Sequence, residues 1–145
     1  MANRFTLAFT AGAGDIDVMG HVNNAVWVRW MEAVATAHWE ADAAPEHVER
    51  YVWVVTRHEI DYRGNIREGE SVMAETIIPE GPRGARFDRV VRFRNGAGKI
   101  IVSARSTWAM IDCASGRVMR VPAEVAASFG PFGDQASTSA TGVQP

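Results

Sequence analysis

Apolar and polar residues change their period along the chain, and the changes mark its elements. From about Asn23 to about Glu40 the polar positions Arg29, Glu32, Thr36 and Glu40 recur at intervals of three and four. Val26, Val28, Trp30, Met31, Ala33, Val34, Ala35 and Ala37 fill most of the remaining circumference. The spacing predicts a helix, on the order of 27 Å long at 1.5 Å per residue. A helix apolar on most sides is a buried helix, so something must wrap it. The rest of the chain runs at period two. Arg4 to Phe9 reads as a short strand, and Thr10 to Gly20 as a loop broken by Gly12, Gly14 and Gly20. Tyr51 to Tyr62 reads as a strand with Val54, Thr56, His58, Ile60 and Tyr62 on one face and Val55, Arg57, Glu59 and Asp61 on the other. Further strands follow at Ser71 to Pro79, at Arg86 to Arg94, where Phe87, Val91 and Phe93 fall together, and at Lys99 to Asp112. Asn95-Gly96-Ala97-Gly98 is a hairpin turn, and Gly116 to Val121 a short return.

A strand, one long buried helix and then consecutive strands with tight turns predict antiparallel pairing and an α+β layer pair, a curved sheet around one helix. The sheet's open edges need covering, so a second copy paired edge to edge is expected. The 145 residues fit one domain, taken as residues 1–132. The Ser-, Thr-, Ala-, Gly- and Gln-rich tail, 133–145, reads as disordered.

A net charge of −2 gives no general affinity for nucleic acid, although Arg83, Arg86, Arg89, Arg92 and Arg94 suggest a local basic patch. The single cysteine, Cys113, excludes an intramolecular disulfide and has no histidine nearby in sequence to activate it. With no leader pattern at Met1-Ala2-Asn3-Arg4 and no apolar run of membrane-spanning length, the expectation is a soluble cytoplasmic protein with no membrane partner.

The candidate chemistry lies just before the helix, in Asp15-Ile16-Asp17-Val18-Met19-Gly20-His21-Val22-Asn23-Asn24. A helix start carries unpaired N–H groups and a partial positive charge. Asp15 and Asp17 read either as turn acids that cap the helix or as a reacting carboxylate beside it; Asn23 and Asn24 read as caps that also order the N–H donors. The spacing of Asp15, Asp17 and His21 matches no common metal motif, so neither metal nor cofactor is expected. His58, on an inward strand face, reads as a core or interface histidine. His38 and His47 show no partner pattern.

Asp17-Val18-Met19-Gly20-His21-Val22-Asn23-Asn24, leading into Trp30-Met31-Glu32, resembles the hot-dog-fold acyl-CoA thioesterases of the 4-hydroxybenzoyl-CoA thioesterase group. Glu59-Ile60-Asp61-Tyr62, Gly69-Glu70, Gly98-Lys99-Ile100-Ile101, Thr107-Trp108 and Val121-Pro122 follow in the family's order, so the resemblance covers roughly residues 4 to 125. It implies a five-stranded antiparallel sheet around a long central helix and a homodimer or homotetramer with sites at the subunit interface. It also implies hydrolysis of an acyl-CoA thioester. The family's catalytic acid falls on Asp17 and its helix-start position on Asn24. Related acyl-carrier-protein thioesterases have a functional histidine at the place of His21, but an asparagine where this chain has Met19. A proline common in the family is Asn65 here.

Asp17 is thus expected to attack the thioester or activate water, with backbone N–H groups near Val22 to Asn24 holding the oxyanion. Gly20, Val22, Asn23, Trp27 and His58 are expected to bind substrate, and Trp27, Trp30 and Trp53 read either as core packing or as limits on acyl length. Arg57, Arg63, Arg67, Arg83, Arg86 and Arg105 are candidates for the phosphates of CoA. The alternatives are an acyl-carrier-protein thioesterase, an enoyl-thioester hydratase on the same fold, or a module that binds acyl thioesters without turnover.

Overall fold

Helix α1 (Asn24–Asp42) lies in the hollow of a curled antiparallel sheet. The structure, a computed structural model, describes residues 3–133. The expected disordered tail, apart from Gly133, lies outside the described residues. The strands are β1 (Arg4–Thr10), β2 (Tyr51–Tyr62), β3 (Ser71–Ile77), β4 (Arg86–Arg94), β5 (Ile100–Asp112) and β6 (Arg117–Val118). Their order is β1-β3-β4-β5-β2, with β6 added to β5, and every pair is antiparallel. The meander β3-β4-β5 forms the middle, while β1 and β2 occupy opposite edges. The chain crosses from one edge to the other through α1, which holds the helix against the sheet. This is the hot-dog arrangement. Among the described residues no helix is long and apolar enough to cross a membrane.

The α1 face with Val26, Trp27, Trp30, Met31 and Val34 packs on Val72, Ala74, Val91, Phe93 and Val102 from the meander. Trp27 is fully buried, edge-on to Trp30 at 5.2 Å and to Phe93 at 5.0 Å between centroids. Removing so large a buried side chain leaves a cavity that neighbours cannot fill. Trp27→Ala should therefore cost about 3–5 kcal/mol, read in denaturant melts as a lower midpoint at unchanged slope.

Three expectations need correction. The helix is not enclosed all round: Ala25, Arg29, Glu32, Ala33, Thr36 and Glu40 are exposed, because one chain's sheet covers only one side of it. The strict alternation expected along β2 fails at a β-bulge between Val55 and Arg57. One extra residue there shifts the faces. Val52 and Val54 consequently point outward, while Trp53, Val55, His58 and Ile60 are half-buried. Arg89 does not join a basic patch. It shares the inward face of β4 with Phe87, Val91 and Phe93, and reaches under α1 to His38. Two short helices, α2 (Pro45–Arg50) and α3 (Ala123–Ala127), also escaped the sequence reading; both are too short to show a helical period.

Candidate active site

The stretch before α1 folds back on itself as a tight hairpin. Asp17 N–H donates to the His21 carbonyl at 2.8 Å, Gly20 N–H donates to the Asp17 carbonyl at 3.0 Å, and Ile16 bridges Val22. Gly20 makes the turn possible at φ +77°, a conformation glycine adopts without cost. A Cβ there would also lie 2.8 Å from the Arg67 guanidinium. Val18 and Met19 form the exposed tip. Asp17 itself is half-buried, and its Oδ1 accepts from Met19 N–H at 2.9 Å and from His21 N–H at 3.2 Å. One carboxylate oxygen thus anchors the loop, and the other, Oδ2, has no donor among the described residues.

The N–H groups leading into α1 are nearly all used. Val22 donates to the Asn65 side-chain oxygen at 3.0 Å and to the Ile66 carbonyl, and Asn65 Nδ2 returns a bond to the Val22 carbonyl at 3.2 Å. Asn23 N–H donates to the Asp15 carbonyl at 2.9 Å. Ala25 N–H is taken by the Asn23 side chain, the N-cap, at 2.9 Å, and Val26 N–H by the Asn23 carbonyl. Asn24 N–H alone in this run finds no acceptor among the described residues. The broad expectation of donors from Val22 to Asn24 therefore narrows to one, at the positive end of the helix dipole. Asn65, where the family commonly has proline, clamps both polar groups of Val22 and so holds this donor in place.

Asp15 does structural work: Oδ2 accepts from Gly12 N–H at 2.9 Å and Oδ1 from Arg29 at 3.3 Å. The His21 ring makes no hydrogen bond to a described residue; its backbone shapes the hairpin. Tyr62, at the end of β2, donates to the Asn24 carbonyl at 3.4 Å, and burial raises its phenol pKa, which keeps it protonated. Trp27 belongs to the enclosed core. His58 lies four residues back along β2, about 13 Å at 3.3 Å per residue. There its Nδ1 is 2.5 Å from Ser106 Oγ, and its Nε2 is 3.8 Å from Glu32. One chain therefore gathers Asp17, Gly20, His21, Val22, Asn23 and Asn24, with Trp27 in the core cluster that also holds Val22, and keeps His58 apart from them.

A cavity of about 270 Å³ opens at the other end of α1, lined by Trp39, Trp53, Phe87, Trp108 and Phe129 with Arg89 in its wall. Its helix residues, Ala35 to Glu40, lie roughly 17–24 Å along the axis from Asn24 at 1.5 Å per residue. Trp53 was singled out from sequence. Trp39 and Phe129 were not, and Trp108 entered only through the Thr107-Trp108 motif, because only folding brings these residues together. Of the arginines considered for CoA, Arg57, Arg63, Arg83 and Arg105 already bond to Glu59, Ser103, Asp88 and Glu80. Arg67 stands beside the Asp17 hairpin.

A family model described as the thioesterase-like superfamily matches residues 11–129. A curated protein, the chloroplastic palmitoyl-acyl carrier protein thioesterase of Gossypium hirsutum, is 30% identical over 92 residues, 62% of this chain and 22% of its own length. The chain thus spans under a quarter of that relative. Among solved structures, a Staphylococcus aureus protein in complex with CoA superposes with a TM-score of 0.77 at 14% identity, over 86% of this chain and 80% of that one. The 1,4-dihydroxy-2-naphthoyl-CoA thioesterase from Synechocystis superposes at 0.74 and 11% identity, over 87% and 95%. At these identities the superpositions show a shared fold.

Proposed function

The chain belongs to the thioesterase-like superfamily, and from that membership we propose that it hydrolyses an acyl-CoA thioester to the free acid and CoA. The observation that carries the reading is an open Asp17 oxygen on the hairpin that leads into α1, together with the one N–H of the helix start that has no acceptor among the described residues. Asp17 either attacks the carbonyl carbon, expelling the CoA thiolate and forming a mixed anhydride that water then opens to the free acid and the Asp17 carboxylate, or takes a proton from the attacking water. In both routes negative charge gathers on the carbonyl oxygen, where Asn24 N–H and the helix dipole stabilise it. A thiolate leaves readily, so no strong general acid is needed. Arg67, beside the hairpin, suits a phosphate of CoA.

The distance between hairpin and cavity supports a site shared by two copies. β2 is a long edge strand with exposed Val52, Val54 and Tyr62. Antiparallel pairing of β2 with its own copy sets the Tyr51 end of one chain beside the Tyr62 end of the other. That arrangement brings the cavity of one subunit next to Asp17 of the partner subunit. A second reading, an acyl-carrier-protein thioester as substrate, is favoured by the curated relative.

Thiol release from parallel panels of acyl-CoA and acyl-carrier-protein thioesters tests the proposal. Release from acyl-CoA is expected. Release only from carrier protein would move the assignment to the second reading, and none from either would leave a binding module. A monodisperse monomer in solution would contradict the shared site.

A further inference from the structure

Arg89 occupies a place where an aliphatic residue would pack more cheaply. On the inward face of β4 it lies between Phe87 and Val91, opposite Ser106 of β5. Its Nη1 donates to His38 Nδ1 at 2.8 Å and to Thr76 Oγ1 at 2.9 Å. The other ring nitrogen of His38, Nε2, lies 3.2 Å from Asp42, so that carboxylate reaches Arg89 only through the ring. Among the described residues no carboxylate pairs directly with Arg89. Burial pushes its pKa down to about 9, which still leaves a cation at neutral pH. A half-buried charge with no carboxylate in direct contact is costly, and the fold keeps it by bracing Nη1 from two sides.

The cavity explains what the charge faces. Arg89 forms part of its wall, among Trp39, Trp53, Trp108 and Phe129. Asp88 also touches the cavity, but its carboxylate is engaged elsewhere. Burial alone would raise its pKa; bonds from Thr107, Arg83 and Arg105 hold it below the usual carboxylate range. Glu40 is exposed. An aromatic-walled cavity with a cation in its wall and no carboxylate bonded to that cation suits a ligand that is apolar along its length and anionic at its end.

We propose that this cavity receives the acyl group and that Arg89 binds a second carboxylate at the group's far end, so that the substrates are monothioesters of short dicarboxylic acids. The assignment rests on the thioesterase reading. A cavity of about 270 Å³ is small for a ligand site, which favours a short acyl group such as adipyl over a long chain.

Calorimetric titration of the whole protein with monomethyl adipate, which carries one free carboxylate, and with methyl hexanoate, which carries none, tests the pocket without requiring turnover. Monomethyl adipate should bind about ten- to a hundredfold more tightly, the value of hydrogen bonds to a charged group. Arg89→Met should erase that preference while retaining methyl hexanoate, and Arg89→Lys should keep part of it. Equal binding of the two esters by the unaltered protein would overturn the proposal, as would an equal loss of both in Arg89→Met. If Arg89→Met does not fold, the unaltered protein and Arg89→Lys still decide. Thiol release from adipyl-CoA and hexanoyl-CoA separates pocket from reaction. Preference for monomethyl adipate without any hydrolysis supports the pocket and counts against the reaction. Faster hydrolysis of hexanoyl-CoA overturns the pocket and leaves the reaction standing.

Discussion

Asp17→Asn is expected to lower kcat by about 10³-fold while the protein stays folded, the scale of losing a positioned base or nucleophile. The substitution is conservative where it needs to be. Asparagine presents a carbonyl oxygen in place of Oδ1, so the bonds from Met19 N–H and His21 N–H that shape the hairpin can persist. What disappears is the negative charge and the basicity of the second oxygen. Steady-state kinetics with a thermal melt would separate these: a large fall in kcat at an unchanged melting temperature is expected. Asp15→Asn is the matched control, because Asp15 holds Gly12 N–H and Arg29 and has no oxygen left open. It should stay within a few-fold of the unaltered protein. Full activity in Asp17→Asn would remove Asp17 from the chemistry altogether.

The second large effect concerns a backbone group, and proline can delete it. Asn24 is the first residue of α1, and Asn23 is the N-cap. Proline is favoured at a first helical position, where the N–H has no intrahelical partner to lose. The preceding Asn23 already sits at φ −63° and ψ 142°, the extended region that a residue before proline prefers. Asn24→Pro should therefore leave the helix intact and remove only the N–H assigned to the oxyanion. The expected cost is about 10²–10³ in kcat, the usual effect of removing one oxyanion donor. Asn24→Ala keeps the N–H and loses the side chain, so it should retain most activity. Were Asn24→Pro as active as Asn24→Ala, the donor would have to lie elsewhere.

The elements that depend on local pattern were legible before folding. The spacing of Arg29, Glu32, Thr36 and Glu40 reports α1 to within two residues at its far end, and Phe87, Val91 and Phe93 report the inward face of β4. The stretch before α1 was legible as a loop that turns at Gly20, because those signals lie within a few positions of one another; its hairpin bonds appear only in the structure. The bulge in β2 was not. A period-two reading assumes one residue per step, and the insertion becomes visible only when β5 pairs beside it. Arg89 was misread for a related reason. Five arginines in a short run look like a patch until the pleat sends Arg89 to the inward face and Arg92 to the face where it approaches Glu75.

By itself, then, the sequence determined the α+β class, the long helix, the resemblance to hot-dog thioesterases and the loop that holds Asp17. Periodicity and turn chemistry act over a few residues and can be read along a line. Tertiary structure alone decided which N–H stays open, because Asn65, 41 residues beyond Asn24 (65 − 24), takes up the Val22 donor. It alone joined Trp39, Trp53, Trp108 and Phe129 into a cavity, and alone set a cation in that wall. These are contacts between residues distant in the chain, and their geometry exists only once the sheet has curled around the helix.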